Sequence, residues 1–295
     1  MSDVRMEQFA TGGDPVEVTI ALGAGRVDVR LTDEEGVDVE VRHSPEDASP
    51  WADPLNNLMS WFTNQFGEET TTDVTAEAVQ RTRVELIGGR LVVRTPKEAQ
   101  LRSIPMAVTV RAPLGSSVSV RSGAGSVRVT GVADRVDVTT GGGTIDIAEA
   151  TGPVQATSGT GAVRVGPAPA GAQVRTGRGE IELAALGGSS MVLTGGGDVW
   201  LGAVTGSVNV RSGTGNITVA DAASGDVQLK TGSGALRIGI RPGSPAEIDV
   251  SSGSADVRSE LPLRGTAPEQ APPLRVRART GLGSALVTLA TTTAR

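Results

Sequence analysis

A Thr/Ser-Gly-x-Gly tetrapeptide starts at Ser122, Thr140, Ser158, Thr176, Thr194 and Ser212, each start 18 residues after the last. No other feature restricts the fold as much. The spacing drifts through Thr231 to Ser252, where Ala255 replaces the second glycine, and the motif returns at Thr280 after a long gap. Self-similarity at a fixed period marks a stacked repeat: no single unit can bury its own apolar side, so the copies must cover one another.

Aligned on the motif, the copies fall into apolar columns. Two follow it: Val127, Ile145, Val163, Ile181, Val199, Ile217 and Leu236, then Val129, Ile147, Val165, Leu183, Leu201, Val219 and Ile238. Of two looser columns before it, the nearer holds Val120, Val138, Ala156, Val174, Val192, Val210 and Leu229. Alternate residues are apolar, the period of a half-buried strand. A fifth column, Val132, Ala150, Ala168, Leu186, Val204 and Ala222, lies beside a Gly- or Pro-bearing turn. Each unit therefore reads strand, turn, strand, turn, and stacking sets equivalent side chains ~4.8 Å apart along the axis. Sharp corners between coils call for glycine, and the Thr or Ser before it is placed to hydrogen-bond the turn backbone.

The fold class expected is all-β, a β-solenoid (β-helix-like) of about 18-residue coils, with one inserted amphipathic helix. With three Trp, three Phe and no Tyr, the core must be built from Val, Ile, Leu and Ala, which is strand chemistry. Residues 1–112 read as irregular N-terminal coils, 113–258 as the regular array, 259–275 as a loop and 276–295 as closing strands, all in one continuous domain.

The insert is residues 45–72. Trp51, Leu55, Leu58, Phe62 and Phe66 are spaced to share one helix face, and Trp61 adds to an aromatic cluster. These six are the candidate partner-binding residues, since Trp and Phe dominate anchor contacts. A helix that caps the open solenoid end would bury the same face, and capping is the favoured reading.

Catalytic and metal chemistry find little support. The chain has no cysteine and one histidine, His43, which ends a strand in no recognisable motif. A calcium β-roll would need a ladder of aspartates, but the column after the motif reads Ser126, Thr144, Ala162, Glu180, Asp198, Asn216 and Ala235. Glu180, Glu182 and Asp198 stack close enough to form a carboxylate group, which leaves a carbohydrate-active β-helix enzyme as the alternative function. No catalytic, cofactor or metal residue is assigned, and no small-molecule substrate. Arg121, Arg175, Arg211, Lys230 and Arg279 precede the motif in a column interrupted by Thr139, Thr157, Leu193 and Ser251. Solvated surface is the favoured reading of that column, and contact with an anionic polymer the other.

A net charge of −6 argues against a nucleic-acid partner, and no apolar run is long enough to span a bilayer or act as a signal peptide. The expected location is the cytoplasm, with the cell surface open only to an unrecognised export route.

Three stretches carry a family resemblance: DPVEVTIALGAGRVDVRLTDEEGVDVEVR, the serial units from Ser122 to Ile238, and IDVSSGSADVRSEL with VRARTGLGSALVTL. Over nearly the full chain apart from residues 45–72, the sequence resembles the bacterial β-strand-repeat domain labelled "putative adhesin". The resemblance implies a β-solenoid, a loose link to cell-envelope or stress-response systems, and no catalytic residues. The expected function is a non-enzymatic structural or interaction protein with a protein or envelope-associated partner.

Overall fold

The computed structural model describes residues 4–47, 69–96, 98–261 and 271–291. They fall into two units, Met1–Ala148 and Glu149–Arg295. Both are built almost entirely of strands.

In the first unit, β1 (Val4–Phe9), β2 (Glu17–Thr32) and β3 (Val37–His43) precede one turn of 3-10 helix (Pro45–Asp47). Helix α1 (Glu69–Gln80), β4 (Arg83–Ile87), β5 (Arg90–Arg94), the short α2 (Ala99–Arg102) and β6 (Pro105–Pro113) follow. Then come β7 (Ser117–Ala124), β8 (Val127–Ala133) and β9 (Val136–Thr140), before β10 (Ile145–Ala150).

Strand β2 is a whole coil in one element. Its first half pairs in parallel with β5 and β7, its second half with β6 and β8. The first coil in the chain is therefore sandwiched between two later ones. Antiparallel strands end the parallel stack on the β5–β6 side, with β4 on β5, β3 on β6 and β1 on β3.

In the second unit, one ladder runs through β11 (Val154–Thr160), β13 (Ala172–Arg178), β15 (Ser190–Gly196), β17 (Val208–Thr214) and β19 (Gly225–Thr231). The other runs through β12 (Val163–Ala168), β14 (Ile181–Leu186), β16 (Val199–Val204), β18 (Ile217–Ala222) and β20 (Leu236–Ile240). All pairs are parallel, and like columns meet: Val174 opposes Val192, and Leu183 opposes Leu201.

The chain's last coil is not the last in the stack. After β20 come β21 (Ala246–Ser252), β22 (Val257–Ser259), β23 (Leu274–Thr280) and β24 (Ala285–Leu289). Strand β23 pairs with β19 on one side and β21 on the other, and β24 lies likewise between β20 and β22. Coil β21–β22 thus forms the outer edge, and its Val257 is 44% exposed. Coil β23–β24, covered on both faces, buries Leu274, Val276, Ala278, Ala285 and Val287.

Every member of the three main apolar columns is buried. The fifth column needs one change. Val132 is only half-buried, because Gly131, at φ +84°, turns the chain so that Ala133 takes the interior place.

The helical insert also differs from expectation. Trp51, Leu55, Leu58, Trp61, Phe62 and Phe66 lie outside the described residues. The described helix, α1, shares only residues 69–72 with the predicted stretch. It buries Ala78 and Val79 but leaves Val74 exposed, so no clean apolar stripe supports calling it amphipathic. Its end is fixed by Thr82, whose Oγ1 donates to the Ala78 carbonyl at 2.9 Å, and by an Arg81–Glu77 ion pair at 2.7 Å.

Candidate functional site

The motif residues answer to backbone geometry first. At Gly197, φ is +121°, and a Cβ there would run into the carbonyl of Gly179 in the coil beside it. A Cβ on Gly195 would sit 2.6 Å from the Gly177 oxygen. Coils meet backbone to backbone at these corners, so only glycine lets the ladder close.

The Thr of each motif is buried and bonds the turn backbone, of its own coil at Thr194, whose Oγ1 donates to the Gly196 carbonyl at 3.1 Å, and of the neighbouring coil at others. Thr231 Oγ1 donates to the Gly215 carbonyl at 3.0 Å and accepts from the Gly234 amide at 3.2 Å. Thr140 Oγ1 likewise reaches the Gly125 carbonyl at 3.0 Å. The hydroxyls of Ser122 and Ser212, buried in the same column, have no hydrogen-bond partner among the described residues.

The column tested for calcium has a structural use that the sequence did not suggest. Asp198 Oδ1 accepts the backbone N–H of Asn216 at 2.8 Å, and Asn216 Oδ1 accepts that of Ala235 at 2.9 Å. In the first unit Ser126 Oγ accepts the N–H of Thr144 at 3.3 Å. Each such side chain caps the strand start of the next coil. A polar acceptor at the first outward position after a Gly corner is the signal that would have identified this role.

Two outward surfaces of the second unit could meet a ligand. The first is a groove of about 1380 Å³ over the ladder that includes β14, β16, β18, β20 and β24. Glu182, Trp200, Thr218, Arg237 and Leu286 are register partners along one row. Two residues on, the floor is small: Ala184, Gly202, Ala220, Gly239 and Thr288. Trp200, 40% exposed, leans over that floor, since a Cβ on Gly202 would come within 3.0 Å of its Cη2.

The groove's carboxylates are mostly engaged. Glu182 faces Arg164 at 3.5 Å, Asp198 is held by Asn216, and Asp221 is hydrogen-bonded to Arg241. The bond to Asp221 raises the Arg241 pKa above its ordinary value. Glu180 is exposed, and its carboxylate makes no hydrogen bond or ion pair among the described residues. His43 sits in the other unit, opposite Met106 in the β3–β6 ladder. Among the described residues, no three of His, Asp and Glu gather closely enough to hold a metal ion.

The second surface carries the cations singled out from the sequence. Arg175, Leu193, Arg211, Lys230 and Arg279 are successive register partners, and Ser251 follows Arg279. In the chain Ser251 separates Lys230 from Arg279; in the stack the two are neighbours. A shallow recess of about 510 Å³ lies over Arg175, Leu193, Arg211 and Lys230.

No family model and no curated protein matches the chain. Solved structures similar to it include a "putative adhesin" from Bacteroides fragilis, 13% identical over 96% of both chains, with a TM-score of 0.42. A "putative adhesin" from Parabacteroides distasonis is 10% identical over 96% of both chains, at a TM-score of 0.32. A "putative lipid binding protein" from the same species is 10% identical over 98% of this chain and 96% of that one, at 0.34. The first two carry the label of the family that the repeats resemble. Scores and identities this low assign no activity to the chain.

Proposed function

We propose that this protein is a non-enzymatic, adhesin-like interaction scaffold, in which stiff stacked coils hold outward side chains at fixed spacing for a partner to meet. A link to the cell envelope or to stress response belongs to the same reading. What supports it is the state of the groove: Glu182, Asp198 and Asp221 are each tied to a neighbour, and only Glu180 stands clear. Glycoside hydrolysis ordinarily uses two carboxyl groups that face each other across one bond, and the three tied carboxylates are each turned to a neighbouring side chain instead. For the aromatic insert, Trp51 to Phe66, capping of the solenoid end stays the favoured role and a protein-binding anchor the other.

One observation favours the enzyme reading. Trp200, an aromatic surface on which a sugar ring could stack, stands next to Glu182 in the row. The two readings part on turnover. Purified full chain is expected to release no reducing ends from polysaccharides. Release that disappears in a Glu180→Ala, Glu182→Ala, Asp198→Ala variant would replace the scaffold by an enzyme. Loss of captured partners on deleting residues 45–72, with the β circular dichroism unchanged, is the expected result for the anchor.

A further inference from the structure

The cation column gains its meaning from the order of the coils. Read along the chain, Arg211 and Lys230 are followed by Ser251, and the basic run ends. Because β23 lies directly on β19, Arg279 takes the place beside Lys230, and Arg211, Lys230 and Arg279 become three consecutive cations. Their strands are ~4.8 Å apart. Arg175 lies two coils beyond Arg211, across the half-buried Leu193.

Like charges directly opposite on neighbouring strands destabilise a sheet. Among the described residues, none of these four cations makes an ion pair, whereas Arg164, Arg241 and Arg275 elsewhere in the unit do. The carboxylate nearest in register is Asp249, opposite Arg277 in the adjacent outward row. The rest of that row is uncharged: Gln173, Met191, Asn209 and Gln228. Asn209 Nδ2 donates to Gln228 Oε1 at 3.3 Å and Gln228 Nε2 to Asp226 Oδ2 at 3.4 Å, so of this row the Asn209 side-chain carbonyl oxygen and the Gln173 amide remain to meet a ligand beside the cations.

On this basis, resting on the scaffold reading above, we infer that the column binds a linear anionic polysaccharide laid along the solenoid axis. The cations meet carboxylate or sulfate groups, and the amide row meets hydroxyls. One coil rise is close to the length of one sugar unit in an extended chain. Successive units turn their acidic groups to alternating sides, so the charges on the facing side fall at every second coil, the separation of Arg175 from Arg211 and of Arg211 from Arg279. Nucleic acid fits less well: the chain carries a net charge of −6, and a run of three cations is short for a phosphate backbone.

The test uses the full chain with three probes: polygalacturonate, its methyl ester, and single-stranded oligo(dA). Polygalacturonate is expected to bind with an affinity that falls as salt rises, and the uncharged ester is not. The Arg211→Gln, Lys230→Gln, Arg279→Gln variant should bind more weakly by a factor on the order of tenfold or more. Arg164→Gln, on the other ladder, should bind as the wild type does. The triple variant should also melt no lower than the wild type, because it loses mutual repulsion. Undiminished binding by that variant, no polygalacturonate binding at low salt, tighter binding of oligo(dA), or a marked fall in melting temperature would each overturn the inference. New reducing ends in the polygalacturonate would overturn the scaffold reading instead; if binding still depends on the three cations, the column stands.

Discussion

The hydroxyl of Thr280 donates to the carbonyl of Gly234 at 2.8 Å, across 46 residues of chain. It also accepts the Gly283 amide at 3.1 Å. One buried side chain thereby ties the last coil of the sequence to the coil it lies on. Replacing it by valine keeps the shape and strands both backbone groups. Thr280→Val should lower stability by about 1–3 kcal/mol, measured by urea unfolding. Ser212→Ala removes a hydroxyl with no hydrogen-bond partner among the described residues and should change stability by no more than about 0.5 kcal/mol. Equal losses would show that the column is held by packing rather than by its hydrogen bonds.

The corner glycines make a sharper prediction. Gly197→Ala puts a methyl group on the Gly179 carbonyl in a backbone conformation that L side chains rarely adopt. The loss should exceed the ~1 kcal/mol of an ordinary Gly→Ala strain, since two coils must part. An unchanged urea midpoint would mean that the corner can relax.

In the interior, Leu183→Ala should cost about 2–5 kcal/mol, the range for a buried leucine whose surroundings cannot collapse. Leu183 is fully covered and stacks on Val165 and Leu201. A cost under about 1 kcal/mol would imply that neighbouring coils close the gap.

Glu85 offers a titration. A hydrogen bond from Arg83 holds its pKa below the ordinary carboxylate value, and the reciprocal bond raises that of Arg83. A folded pKa below the unfolded one gives stabilisation that is present above the unfolded value and lost as pH falls through the folded one. The pair lies at the solvent-facing surface, so the effect should be read from the Glu85 carboxyl resonance rather than from stability. Its midpoint should rise in Arg83→Gln; an unmoved midpoint would refute the contact.

Ending the chain at residue 272 tests the order of coils. Among the described residues, strands β21 and β22 pair with the stack through β23 and β24 alone. Hydrogen exchange over residues 246–259 should then lose its protection along with the deleted coil. Retained protection would mean that the outer coil can close on β19–β20 directly.

The apolar columns were legible because period two within a strand and period 18 between strands leave little choice of which residues face inward. Val120, Val127 and Val129 are buried as their columns require. The order of coils was not legible. Val227 is opposed by Val276, yet Ile248 could take that place with equal chemistry, so similar coils do not encode which neighbour each prefers. Helix α1 escaped notice because its first turns, ETTTDVT, are rich in β-branched residues that carry strand propensity. The cation column looked broken for the reason that hid the coil order: its continuity exists only in the stack.

Each unit has an early or late coil held inside a neighbour. Strand β2 lies between β5–β6 and β7–β8, and β23–β24 lies between β19–β20 and β21–β22. Gene duplication lengthens such an array most simply by copying coils from its interior. A coil copied straight after β24 would find the edge of β23–β24 already taken by β21–β22.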